Sequence, residues 1–240
     1  MDRLDKLLAQ RGFGSRKDVQ RLIRSGAVTL NGETCRTPDR KLDLERDEVY
    51  VGGEPLDRNK YVYIMMNKPA GVVSATEDKR EKTVLDILPE EMRRPNLFPA
   101  GRLDKDTEGL LIITNDGDFA HRMLSPRKKV YKQYEAELDA PVTEEMKRRF
   151  AEGIEFTNGE KCLPAVLSVP DPGLERTALV KICEGKFHQV KKMFSACGTR
   201  VVHLKRISIG NLYLDSNLTI GSCKFLTKLD IEAIFIGNIH

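Results

Sequence analysis

The stretch Ala100–Gly117, Ala-Gly-Arg-Leu-Asp-Lys-Asp-Thr-Glu-Gly-Leu-Leu-Ile-Ile-Thr-Asn-Asp-Gly, constrains the fold more than any other part of the chain. Leu110–Ile113 is an unbroken apolar run, β-branched at its end and too short for a helix, so it predicts a strand buried on both faces. Asp116-Gly117 closes that strand. Asp118 to Leu124 then runs at helical spacing, and Asp116 stands where an N-cap is needed. The loop ahead of the strand, with Arg102, Asp104 and Asp106, is therefore delivered to the mouth of a sheet. On the residues alone, an isolated aspartate before a strand reads first as a turn-former or cap.

The neighbours of Asp104 change that reading. Gly101-Arg102-Leu103-Asp104, followed by Thr107 and Gly109-Leu110-Leu111, resembles the catalytic signature of the pseudouridine synthases. The resemblance implies that Asp104 is their nucleophile. Asn67-Lys68-Pro69-Ala70-Gly71 is how the core of that family usually begins, and Lys68 is expected to contact RNA, although by itself it reads as a surface lysine. Lys132 to Leu138 alternates as a strand with Tyr134, Ala136 and Leu138 on one face. Tyr134 by pattern is a core aromatic, whereas Lys-x-Tyr-x-Ala resembles the family's second motif, whose tyrosine packs on the target base. Glu184-Gly185-Lys186-Phe187-His188-Gln189-Val190-Lys191 resembles the third motif and assigns its basic position to Lys191.

Independently of the family, the spacing predicts a helix over 187–197 with Phe187, Val190, Phe194 and Cys197 as its buried stripe. Lys191 falls on that side, so its ammonium must snorkel outward or meet a carboxylate. Arg102, two residues before Asp104, is expected to hold opened RNA or fill the vacated place in a stack. A phosphate clamp or a salt bridge to Asp106 are its alternatives. His188 is recommended by the resemblance alone. Together the motifs cover residues 61 to about 215.

The chemistry this implies breaks the bond from ribose to ring nitrogen, turns the uracil and rejoins it through carbon. Nothing is exchanged with a second substrate, so no cofactor is expected. Asp104, acting on the sugar, on the ring or as a base that yields a glycal, must be ionised for any of these routes. A dry pocket opposes ionisation and an adjacent cation favours it, the role expected of Lys191. No phosphate loop, dinucleotide fingerprint or His-Glu-x-x-His occurs, and neither the five scattered cysteines nor the four histidines have metal-ligand spacing. No apolar stretch approaches the roughly 20 residues of a membrane helix, and the N-terminus lacks the apolar core of a signal peptide. A cytoplasmic monomer without metal is expected.

Apolar residues at Leu4, Leu7 and Leu8 predict a first helix ending at Gly12-Phe13-Gly14. Ser15 caps a second, Arg16 to Ser25, with Val19, Leu22 and Ile23 inward and Gly26 as its stop. Val28–Leu30 and Asn31-Gly32 then predict a hairpin. Residues 1–24 hold seven basic side chains against three acidic ones, an excess equal to the net charge of +4 of the whole chain. Ser-Arg-Lys followed by Ile-x-x-Gly-x-Val-x-Leu-Asn-Gly resembles the RNA-binding domain shared with the fourth small-subunit ribosomal protein, over about residues 1–50. The resemblance places Arg16, Lys17, Arg21 and Arg24 against RNA phosphates.

Gly52-Gly53-Glu54-Pro55 reads as a linker, with a boundary near residue 59. The expected domains are thus 1–58 for RNA binding and 59–240 for catalysis. Short helices are expected over 84–88 and 90–93 around Pro89, and a longer one from the Thr143 cap through Phe150 to the Gly153 stop. With strands over 61–66, 177–183, 200–209, 211–214 and 224–226, the class is α+β, a largely antiparallel mixed sheet with flanking helices.

Phe119–Pro126 further resembles the branch of the family acting on a uridine of 16S rRNA, so ribosomal RNA is the expected partner. Glu108 departs from that branch, where serine or threonine is more usual. The alternatives are action on 23S rRNA and a non-catalytic RNA-binding or assembly factor. A carbohydrate hydrolase using Asp104 and Asp106 is disfavoured, because nothing else in the sequence resembles a sugar cleft.

Each neutralised phosphate contributes roughly 0.7 to 0.9 to the slope of log K against log salt. Replacing Arg16, Lys17, Arg21 and Arg24 with Gln should therefore flatten that slope for rRNA by as much as about 3. Filter binding across a salt series measures it, and equal slopes would remove these residues from the interface.

Overall fold

A computed structural model describes residues 2–44, 46–56, 61–156 and 158–236. Contacts divide the chain into two compact units, Met1–Tyr61 with Met92–Asn96, and Val62–Glu91 with Leu97–His240. The boundary expected near residue 59 lies outside the described residues.

In the first unit, β1 (Asp2–Arg3) leads into α1 (Leu4–Gln10), and α2 spans Arg16–Ser25. Ser15 and Asp18 form a reciprocal capping box, Ser15 Oγ accepting from the Asp18 amide at 3.3 Å and the Asp18 carboxylate from the Ser15 amide at 3.0 Å. Gly26, at φ +87°, ends the helix in the left-handed region. β2 (Val28–Leu30) turns through Asn31-Gly32, both at positive φ, into β3 (Glu33–Thr34). β4 (Lys41–Leu42) pairs with β1, while β5 (Val49–Val51) and β6 (Glu54–Pro55) complete a sheet of order β3-β2-β5-β6. Leu4, Leu7, Leu8, Val19, Ile23, Val28 and Val49 close the core. Gly52-Gly53 is the turn of the β5–β6 hairpin and not a linker. Its two positive φ angles let the chain reverse within the unit, a geometry that glycine content alone does not distinguish from flexibility.

The second unit is built on one mixed sheet. In chain order its strands are β7 (Tyr63–Lys68), β8 (Phe98–Ala100), β9 (Glu108–Thr114), β10 (Lys132–Leu138), β11 (Val166–Ser168), β12 (Thr177–Ile182), β13 (Val201–Ile209), β14 (Leu212–Tyr213) and β15 (Cys223–Phe225). The sheet order is β11-β12-β10-β13-β9-β7-β15, with β8 on β9 and β14 on β13. Among the described strand pairings of this sheet, only that of β9 with β13 is parallel. Helices α3 (Gly117–Leu124), α4 (Glu144–Glu152), α5 (Gln189–Ala196) and α6 (Lys228–Ala233) flank it. Leu110 to Ile113 are fully buried at its centre, as strands covered on both faces must be. One face packs on Phe119, Ala120 and Met123 of α3. Asp116 caps that helix by accepting from the Phe119 amide at 3.0 Å, and Thr143 caps α4 by accepting from the Met146 amide at 3.2 Å.

Residues 84–88 form a turn rather than the expected helix, followed by a 3-10 turn over Glu90–Met92. The Asp86 carboxylate accepts from the Thr83 amide at 2.7 Å and Thr83 Oγ1 accepts from the Asp86 amide at 3.2 Å, which closes a local box. Pro89 then removes the donor a second turn would require.

Gly109 lies in β9 at φ +100°, where an added Cβ would stand 2.3 Å from the Arg206 carbonyl oxygen. The parallel pairing of β9 with β13 runs through this pair, Gly109 opposite Arg206. Gly109→Ala should cost at least about 2 kcal/mol through clash and backbone strain, measured as a lowered urea midpoint. Gly32→Ala, with open space around its Cβ position, should cost less.

Candidate active site

Lys68 closes β7 with its side chain fully buried. Its Nζ donates to the carbonyls of Pro69 at 3.0 Å, Asp104 at 3.1 Å, Lys105 at 3.4 Å and Thr107 at 2.9 Å. Four acceptors around one ammonium satisfy it without any counterion in contact. This corrects the expectation that Lys68 touches RNA, because none of its side chain reaches the surface. Ser74 Oγ adds a pair of bonds to Leu103, donating to its carbonyl at 2.9 Å and accepting from its amide at 3.1 Å. The amide of Gly71 donates to the Lys105 carbonyl at 2.7 Å, and the Thr107 amide to the Asp104 carbonyl at 3.1 Å. The loop that carries Asp104 is thus fastened along its backbone.

Asp104 keeps a quarter of its side-chain surface exposed and stands 3.4 Å from Lys191 Nζ and 3.5 Å from His188 Nε2. The Lys191 ammonium is closer to Asp106, at 2.5 Å. Lys191 therefore meets two carboxylates, where the sequence reading placed it against one. Asp106 is held below the usual carboxylate range, chiefly by the hydrogen bond from Lys191. Arg102 is exposed and forms no ion pair among the described residues, so the salt bridge to Asp106 considered for it belongs to Lys191.

A cleft of about 70 Å³ opens beside Asp104, lined also by Tyr134, Thr107, His188, Val190 and Leu204. Tyr134 is 9% exposed. Its hydroxyl lies 3.5 Å from Nη1 of Arg206, whose Nε donates to the Leu110 carbonyl at 2.7 Å. Thr107 Oγ1 is buried at this cleft with no partner among the described residues. Glu184 accepts from Gln189 Nε2 and from the Leu163 amide, both at 2.8 Å, and so pins the turn that presents His188.

Helix α5 begins at Gln189 and not at Phe187, because His188 adopts a left-handed backbone at φ +53°. The buried stripe is Val190, Met193 and Phe194, with Cys197 partly covered. Phe187, expected in that stripe, is 69% exposed. The Nζ of Lys192 lies 5.1 Å from the Phe187 ring centroid and 5.5 Å from that of Phe156.

Arg206 is a buried arginine beside Tyr134 that the sequence motifs do not mark. Leu204, Arg206 and Ser208 alternate along β13 and share its buried face, so period two alone marked an arginine pointing inward. Glu108 is partly buried and meets His203 Nε2 at 3.0 Å. On α2, Arg16, Lys17, Arg21 and Arg24 are all exposed, with Arg21 paired to Asp18 and Arg16 3.9 Å from the buried Asp5. Among the described residues no helix is long and apolar enough to cross a membrane.

The RNA pseudouridylate synthase family profile matches residues 62–196, and the S4 domain profile matches residues 2–49. The chain is 45% identical over 233 residues to the uncharacterized RNA pseudouridine synthase YtzG of Bacillus subtilis (strain 168), covering 97% of this chain and 98% of the relative. It is 42% identical over 234 residues to ribosomal small subunit pseudouridine synthase A of Escherichia coli (strain K12), covering 97% and 99%. A solved crystal structure of pseudouridylate synthase aligns with a TM-score of 0.66 at 36% identity, covering 98% of this chain and all of that one. The sheet and its aspartate loop define an isomerase that makes pseudouridine in RNA, preceded by an S4 RNA-binding domain. This chain belongs to the RsuA-type RNA pseudouridine synthases.

Burial lowers the Lys68 pKa to about 8, against about 10.4 for a free lysine. The unfolded chain binds more protons between those values, so this group's contribution to folding stability rises with pH across that window. Catalysis should move the other way. Loss of the ammonium loosens its hold on the loop carbonyls, and turnover at saturating RNA should decline as pH rises through about 8 while circular dichroism stays constant. Lys68→Met should lower stability by about 2–4 kcal/mol by stranding buried carbonyls.

Proposed function

We propose that this enzyme converts a specific uridine of 16S rRNA to pseudouridine, with Asp104 as nucleophile. The observation carrying the proposal is the Asp104 carboxylate at the cleft, on a loop fixed by Lys68 and 3.4 Å from the Lys191 ammonium. Lys191 supplies the positive charge beside that carboxylate. Tyr134, on the cleft wall, offers its ring to the uracil. The target must leave its stack, at a cost of roughly a few kcal/mol, and exposed Arg102 is suited to hold the opened strand.

The reaction balances within the substrate. The bond between C1′ and N1 breaks, a bond between C1′ and C5 forms, and the proton on C5 leaves as N1 gains one. No cofactor enters. The exposed basic face of α2 binds rRNA phosphates, adding affinity that does not depend on the target base. The 16S assignment is supported by the 42% identity to a relative whose name specifies the ribosomal small subunit, across nearly its whole length. Phe119–Pro126, which resembles that branch, supports it further. The enzyme is read as a cytoplasmic monomer acting on the small subunit or its assembly intermediate.

Asp104→Asn should abolish isomerisation while RNA affinity stays within about threefold, since the amide keeps the shape and loses the nucleophile. Lys191→Met should cut turnover by at least about 100-fold, or roughly 2.7 kcal/mol. Lys181→Met, on the exposed side of β12, serves as the control. Pseudouridine mapping of both rRNAs in a strain lacking the gene should show one missing site in 16S. A missing site in 23S would reassign the substrate, and unchanged maps would favour an assembly role.

A further inference from the structure

The turn before α5 displays an aromatic side chain that the fold leaves uncovered. Phe187 is 69% exposed, although burial of its ring would ordinarily be favourable. Its ring lies on that of His188, with centroids 3.8 Å apart and planes 20° from parallel. His188 in turn stands 3.5 Å from Asp104. A flat two-ring stack therefore leads outward from the carboxylate, held by the left-handed backbone of His188 and by the Gln189–Glu184 bond. Lys192 Nζ, 5.1 Å from the Phe187 ring, adds a cation on a flexible stem. An exposed cation–π contact is weaker than a base stacked on an aromatic ring, so a base displaces it and frees the ammonium for a phosphate.

We propose that Phe187 is a stacking platform for the unpaired base next to the target uridine. This rests on the reading of Asp104 as the reacting carboxylate. Flipping the uridine removes one stacking partner from its neighbour, and an aromatic face a short distance from Asp104 replaces it. The platform holds the opened strand without reading its sequence, since every base has a π-face.

The chain contains no tryptophan, so Phe187→Trp in the full-length Asp104→Asn protein places a single indole at the platform. Saturable quenching by single-stranded decauridylate, absent with a decamer duplex, is expected. Phe187→Ala should weaken binding of decauridylate and of a 16S transcript by about 5- to 100-fold, and Phe187→Tyr should restore it. An unquenched indole on RNA whose binding is seen by anisotropy, or unchanged affinity in Phe187→Ala, overturns the proposal. Pseudouridine formation by the wild type is scored separately. An inactive wild type with a quenched indole would sink the catalytic reading alone, and an active wild type with an unquenched indole would sink the platform alone.

Discussion

The ammonium of Lys68 lies under the loop that carries Asp104 and donates to four backbone carbonyls, three of them from residues 104, 105 and 107. Those carbonyls belong to a segment too short and too sharply turned to satisfy them through a ladder, and unpaired they would each carry a desolvation cost. A cation can collect several acceptors at once where a neutral donor could not. The loop's shape thus depends on a charge contributed by β7, and the position of Asp104 depends on the loop.

Around this centre the unit buries more positive charge than is usual for a core. Lys132, with Nζ donating to the Met123 carbonyl at 3.0 Å, is lowered to about 8 by burial and by the charge of Arg206. Arg206 acts on Lys68 in the same direction, although burial is there the larger cause, while Asp106, Glu108 and Asp104 oppose the shift. These three carboxylates thus help to keep the Lys68 ammonium charged.

The site also shows how one cation serves two acids. Lys191 bonds Asp106 at 2.5 Å, and Asp106 is mostly solvent-exposed, so that contact is screened and worth little to stability. Its effect is positional: it fixes the ammonium at the cleft's rim, 3.4 Å from Asp104. Substrate entering the cleft would exclude water from this cluster and strengthen each of these interactions.

Local chemistry was legible in the sequence wherever short-range rules decide structure. The Ser15 cap and Gly26 stop, the Asn31-Gly32 hairpin, the apolar run of β9 and the Asp116 cap of α3 each follow from residues within a few positions of one another. The motifs likewise marked Asp104 and Tyr134, which the folded chain brings to one cleft, and Lys191, whose ammonium it sets 3.4 Å from Asp104. What only the tertiary structure decided was the partner of each long side chain. Lys68 reads as a surface lysine until the loop from residue 104 closes over it, and Arg206 reads as an ordinary strand residue until Leu110 and Tyr134 flank it. Phe187 reads as helical core until a left-handed residue at 188 turns it out to solvent. Burial of a flexible side chain depends on contacts 36 to 96 positions away in sequence, and local periodicity carries no record of them.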